Sequence, residues 1–123
     1  MTKSTRVLIA EDDEFLRMAM ASALEDDGFI VDHIAIGSKV LGALEKANYN
    51  LLLLDLILPE KNGFEILREM KKKKIQVPVL VFSNLSQKKD KEEALRLGAK
   101  AFYVKSSLSI DEVVRLVKKY AKS

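Results

Sequence analysis

The chain has 123 residues, enough for one domain whose core needs no covalent staple. It contains no cysteine, which excludes a disulfide framework and a thiolate metal site and fits a reducing, cytoplasmic compartment. The net charge of +3 arises from 21 basic and 18 acidic residues that are interspersed; no aromatic residues alternate with the lysines, so direct nucleic-acid binding is not expected.

Met1 to Arg6 is polar, and the first apolar run, Val7 to Ala10, stops at three acids. That run is too short for a signal-peptide core or a membrane span. It reads instead as a strand buried on both faces, the pattern of a parallel sheet covered by helices. From about residue 14 to 26, Leu16, Met20 and Leu24 line one helical face, with Gly28 placed to end the helix. Phe29 to Ile34 is a weaker run, interrupted by Asp32 and His33, and suits an edge strand. Ser38 to Ala47 supplies a second helix and Leu51 to Leu54 another fully buried strand. Gly63, Ile66, Leu67 and Met70 then repeat at i, i+3, i+4, i+7. The lysines that follow, Lys71 to Lys74, fall at a helix carboxyl end, where the dipole favours cations, and read as a solvated terminus. Val79 to Phe82 is a strand, Ser86 to Leu97 a helix stopped by Gly98, and Ala101 to Val104 the last strand. Ser109 and Glu112 predict a capping box for the final helix, whose buried stripe is Ile110, Val113, Val114 and Val117.

Five strand–helix units in strict alternation imply a parallel sheet with right-handed crossovers, a doubly wound α/β domain of three layers over residues 1–123. There is no internal repeat, low-complexity tract or linker, and an attached output domain is not expected.

Polar residues stand at the carboxyl ends of the apolar runs: Glu11, Asp12 and Asp13, then Asp55, Ser83 and Lys105. In open α/β sheets that edge binds ligands, beside the point where strand order reverses. If the first and third strands are neighbours, their ends lie roughly 5 Å apart and bring Asp55 against Glu11 and Asp12. Such acids repel one another unless a hard cation sits among them, and an all-oxygen donor set without His or Cys favours Mg²⁺ over zinc. A cation, a carboxylate nucleophile, a hydroxyl at Ser83 and an ammonium at Lys105 are together what in-line phosphoryl transfer requires. Singly, each is an ordinary loop residue.

Val7-Leu8-Ile9-Ala10-Glu11-Asp12-Asp13, Leu53-Leu54-Asp55-Leu56-Ile57-Leu58-Pro59 with Asn62-Gly63, Val81-Phe82-Ser83 and Phe102-Tyr103-Val104-Lys105 together resemble the receiver domain of two-component response regulators, of the single-domain, chemotaxis-regulator type. The resemblance implies a flavodoxin-like (βα)5 fold with strand order 2-1-3-4-5. It makes Asp55 the phosphoacceptor, Asp12 a direct Mg²⁺ ligand, Glu11 an acid reaching the metal through water, and Ile57 a donor of its backbone carbonyl. Ser83 corresponds to the switch hydroxyl, Lys105 to the cation that pairs with the phosphoryl group, Phe102 to the aromatic that changes rotamer, and Asn84 to a backbone phosphoryl contact. Asp13 falls outside the metal pair and reads as an acid at the start of the first helix. A histidine kinase or histidine phosphotransfer protein would be the donor. The phosphorylated domain would engage a protein target through helix 4, strand 5 and helix 5, as a monomer or a phosphorylation-dependent dimer, and would catalyse only its own phosphorylation and dephosphorylation.

Three positions depart from the family pattern. Ser106 stands where a cis proline commonly follows the lysine, Ile57 replaces a polar side chain two residues after the acceptor, and Asn84, with Leu85 beside it, is bulkier than the usual neighbour of the switch hydroxyl. Ile57 is expected to alter water's approach and thus the phosphorylated lifetime. The acids and Lys105 can also be read as an inert ion-pair network, Phe102 as core packing and Ser83 as a cap; His33, on the edge strand, reads as a partly packed residue without a role. Two other functions compete: a phosphorylation-independent adaptor of the same fold, and an Asp-nucleophile phosphatase, which wants a second Asp where Ile57 stands. A nucleotide-binding domain is disfavoured because no glycine-rich loop follows the first strand.

Overall fold

The computed structural model describes residues 5–121. Strands β1 (Arg6–Ala10), β2 (Ile30–Ile34), β3 (Leu51–Leu54), β4 (Val79–Ser83) and β5 (Ala101–Val104) form one parallel sheet in the order β2-β1-β3-β4-β5. Helices α1 (Glu14–Asp26), α2 (Val40–Lys46), α3 (Gly63–Lys72), α4 (Lys88–Arg96) and α5 (Ile110–Tyr120) alternate with them. This is the expected flavodoxin-like arrangement.

Side chains along a strand point alternately to opposite faces. Val7, Ile9, Leu51, Leu53, Leu80 and Phe82 accordingly pack under α1 and α5, against Met20, Leu24, Val113 and Val117. Leu8, Ala10, Leu52, Leu54, Val79 and Val81 face the other way, against Leu41 and Leu44 of α2, Ile66 and Met70 of α3, and Ala94 of α4. All four leucines of β3 are buried, and full burial of one such side chain contributes roughly 1.5–3 kcal/mol relative to exposure. The central strand therefore anchors both layers.

The helix ends follow their caps. Ser109 and Glu112 make the expected capping box on α5, and Asn62 with Glu65 makes a second on α3. Several expected boundaries move; the helix expected over 86–97, for one, spans Lys88–Arg96. The helix expected over 38–47 begins as a 3₁₀ turn, Gly37–Lys39, before α2, because Gly37 is pinned: its N–H donates to the Pro59 carbonyl at 3.0 Å. The strand expected from Phe29 starts at Ile30; Phe29 is buried just ahead of it. At the edge strand, Ile30 and His33 are exposed, so His33 is not the packed residue its place suggests. Among the described residues no helix is long and apolar enough to cross a membrane.

Candidate functional site

Strand register delivers the acids to one place. Ala10 lies opposite Leu54, so Glu11 and Asp55 leave the sheet side by side, tied by the Asp55 N–H donating to the Ala10 carbonyl at 3.0 Å. Ser83 lies opposite Val104, which brings Lys105 to the same edge. Gly63 closes α3 against that edge. Its N–H donates to the Leu56 carbonyl at 2.8 Å, and a Cβ there would stand 2.7 Å from the Leu56 Cα.

Carboxylate oxygens of Glu11, Asp12 and Asp55 lie within 4.8 Å of one another. Glu11 and Asp55 are only 2% and 4% exposed, while Asp12 is open to solvent. The Lys105 Nζ donates to Glu11 Oε1 at 2.7 Å and to Asp55 Oδ2 at 2.8 Å. One ammonium against three carboxylates leaves an excess of negative charge. Two like charges at such a spacing repel by about 4 kcal/mol at an effective dielectric near 20. Burial pushes the Glu11 carboxyl up, opposed by hydrogen bonds from Lys105 and the Asp13 N–H and helped to a smaller degree by the Asp55 charge. For Lys105, burial pulls the ammonium down, but hydrogen bonds and charge from Asp55 and Glu11 prevail and hold its pKa above the ordinary lysine value. The lysine therefore stays charged at neutral pH.

A recess of about 320 Å³ opens here, lined by Glu11, Asp12, Asp13, Asp55, Ile57, Asn84 and Lys105. Every expected metal ligand and Lys105 thus share one hollow. Ile57 is 54% exposed at the rim, and its N–H donates to Asp55 Oδ1 at 3.2 Å, holding the carboxylate in place. Asn84 belongs to the lining, and its side chain does something unexpected: Oδ1 accepts from the Ser106 N–H at 3.2 Å, linking the two loops that follow β4 and β5. The Lys105–Ser106 peptide is trans. Ser83 is fully buried and does not line the recess; its Oγ accepts from the Leu85 N–H at 3.2 Å. Phe102 is half-buried and packs on the α2, α3 and α4 side of the sheet.

Two roles were sharper or newer than sequence reasoning found. Asp13 is the N-cap of α1, its Oδ1 accepting from the Leu16 N–H at 2.9 Å, and its own N–H donates to Glu11 Oε2 at 3.0 Å. Arg17, one turn into α1, reaches back to the carbonyls of Glu11 and Asp12. The signal for it was available, since helical Cα–Cβ bonds tilt toward the amino end and a long first-turn side chain lies over the preceding loop.

The donor set fits a hard divalent cation. Three carboxylates converge with neither sulfur nor imidazole among them, and the cluster's surplus charge is what such an ion neutralises.

A family model described as the response regulator receiver domain matches residues 7–118. The chain is 36% identical over 100 residues to the transcriptional regulatory protein CiaR of Streptococcus pneumoniae (strain ATCC BAA-255 / R6), covering 81% of this chain and 44% of CiaR. It is 35% identical over 111 residues to the transcriptional regulatory protein QseB of Escherichia coli O157:H7, covering 90% of this chain and 51% of QseB. It thus spans about half the length of these curated relatives. Among solved structures, the Francisella response regulator 1452 receiver domain superposes with a TM-score of 0.89 at 26% identity, over 96% of this chain and 97% of that one. With the family model covering nearly all of the sheet and its helices, the chain belongs to the response regulator receiver domain family, the phosphoacceptor switches of two-component signalling.

Proposed function

We propose that Asp55 is the phosphoacceptor of this receiver domain and that Mg²⁺ is its metal, held by Glu11, Asp12, Asp55 and the backbone carbonyl of Ile57. The observation that carries this reading is the convergence of three carboxylates within 4.8 Å, two of them bridged by Lys105. Bound there, Mg²⁺ would supply neutralisation of the acids and of the incoming phosphoryl oxygens.

In the reaction, an Asp55 carboxylate oxygen forms a bond to phosphorus while the donor's nitrogen–phosphorus bond breaks, and the electron pair returns to the donor imidazole. The products are an acyl phosphate and a free histidine side chain on a histidine kinase or histidine phosphotransfer protein. Asp55 is held for attack by the Ile57 N–H and by Lys105. Lys105 has three donors and two present acceptors, so the third can meet a phosphoryl oxygen without leaving the site. The Asn84 backbone adds a phosphoryl contact.

Phosphorylation adds about 1.5–2 negative charges to a recess already rich in them. Ser83 responds first, because its oxygen accepts from Leu85 and its own proton can be drawn to the phosphoryl group, pulling the β4–α4 loop inward. Phe102, which packs against the same core face as Leu85 of that loop, then changes rotamer and biases the surface of α4, β5 and α5 toward a protein target. The domain, residues 1–123, works in the cytoplasm as a monomer or phosphorylation-dependent dimer. It acts on no free substrate, binds no nucleic acid itself, and catalyses only its own phosphorylation and hydrolysis.

The test is intact mass after incubation with acetyl phosphate, with and without Mg²⁺. One phosphoryl adduct on wild type, dependent on Mg²⁺ and missing from Asp55→Asn, supports the reading. An unmodified wild-type protein, with surface binding intact, would favour the phosphorylation-independent adaptor.

A further inference from the structure

We infer that Arg17 is a positioning residue for the metal loop: its guanidinium fixes the peptides that aim Glu11 and Asp12, and His33 orients the guanidinium. This rests on the metal-site reading above and adds residues that it does not use.

Glu11 has two independent side-chain restraints, the Asp13 N–H on Oε2 and Lys105 on Oε1. Asp12 is exposed, and among the described residues its carboxylate has no hydrogen-bond partner. The backbone on either side therefore fixes where its Cβ stands, and with it the region the carboxylate can reach. Arg17 grips that backbone: Nη1 donates to the Glu11 carbonyl at 3.1 Å and, more weakly, to the Asp12 carbonyl at 3.5 Å. Rotating either peptide would swing the Asp12 Cβ and break these contacts.

The guanidinium is itself held. Its Nε donates to His33 Nδ1 at 3.2 Å, and because the group is planar, engaging Nε fixes where Nη1 can point. His33 sits on β2 opposite Ile9, and the Glu11 N–H donates to the carbonyl of the next residue, Ile34, at 3.0 Å. Edge strand, first helix and metal loop are thus joined at one side chain. A lysine could not do this, since one ammonium cannot reach a ring nitrogen and two carbonyls as a rigid fork.

Charge acts in the opposite direction from geometry. A cation beside three acids weakens binding of another cation, but Arg17 meets carbonyls and its contacts are largely solvent-exposed, so screening reduces that effect. Outer partners of metal ligands typically govern affinity by tenfold or more. Geometry should win, and charge-preserving and charge-removing variants separate the two.

The experiment is a Mg²⁺ titration of the whole chain followed by amide chemical shifts, on wild type, Arg17→Lys, Arg17→Gln and His33→Ala. Both Arg17 variants are expected to weaken Mg²⁺ binding about tenfold and His33→Ala about threefold in the same direction. Melting temperatures without Mg²⁺ should stay close to wild type, and phosphorylation rates should recover at saturating Mg²⁺. A merely structural role would shift the melting temperature and leave affinity alone. Arg17→Lys binding like wild type while Arg17→Gln binds more tightly would overturn the inference in favour of charge. So would wild-type affinity in all three variants, which leaves the metal site itself standing; a wild-type protein that takes up no Mg²⁺ removes the site reading and this inference together.

Discussion

Two hollows lie at opposite ends of the sheet's strands. At the carboxyl ends, about 320 Å³ is lined by Glu11, Asp12, Asp13, Asp55 and Lys105. Where β4 and β5 begin, a larger one of about 550 Å³ is lined by Leu67, Met70, Ile75 and Val77, with Lys71, Lys74 and Lys100 at its margin. Size and apolar walls alone would pick the second. The polarity of a parallel sheet, not the volume of a cleft, gathers the acids and Lys105 here. Every strand ends at one edge, where helices begin and their positive ends favour acids; every helix ends at the other, where the dipole favours lysines.

The comparison breaks most sharply if the two lysine environments prove equivalent. Lys105→Met should slow phosphorylation by about 10²-fold, the loss typical of an electrostatic donor at a reacting group, whereas Lys100→Gln in the larger hollow should change the rate less than about twofold. Rates with a small phosphodonor at saturating Mg²⁺ would check both. Next in size is the packing of α3 on the acidic edge. A Gly63→Ala methyl would sit 2.7 Å from the Leu56 Cα and 2.8 Å from the Asp55 carbonyl oxygen, and about 1–3 kcal/mol should be lost in urea denaturation. Gly42→Ala, with nothing within 4 Å inside α2, should instead gain about 0.5–1 kcal/mol. The smallest effect is at the rim. Ile57→Asn should alter the hydrolysis rate of the phosphorylated form by about threefold while stability moves by no more than about 0.5 kcal/mol, as at most exposed positions. A hydrolysis rate unchanged in that variant would remove Ile57 from any control of water access.

Much of this was legible in the residues. The runs Val7–Ala10 and Leu51–Leu54 are apolar without interruption because both faces are covered, and that pattern alone implies a parallel sheet. The acids after those runs were bound to meet once β1 and β3 were neighbours. What escaped depends on contacts between distant segments. The 3₁₀ start before α2 reflects a close approach of Gly37 to the Lys61 carbonyl, from a loop more than twenty residues away. That Ser83 lies behind the recess while Asn84 lines it, and that Asn84 clasps Ser106, are matters of loop path that no local periodicity encodes. Arg17 was missed for a different reason: a basic residue on an amphipathic helix looks like ordinary solvated surface until its reach is traced.

The most direct test locates the phosphoryl group. Borohydride reduces an aspartyl phosphate to homoserine, so protein treated with acetyl phosphate and Mg²⁺, reduced and digested, carries the mark in its sequence. Homoserine is expected at position 55 and at no other aspartate. Homoserine at 12 or 13, or none under conditions where Mg²⁺ is bound, would contradict it.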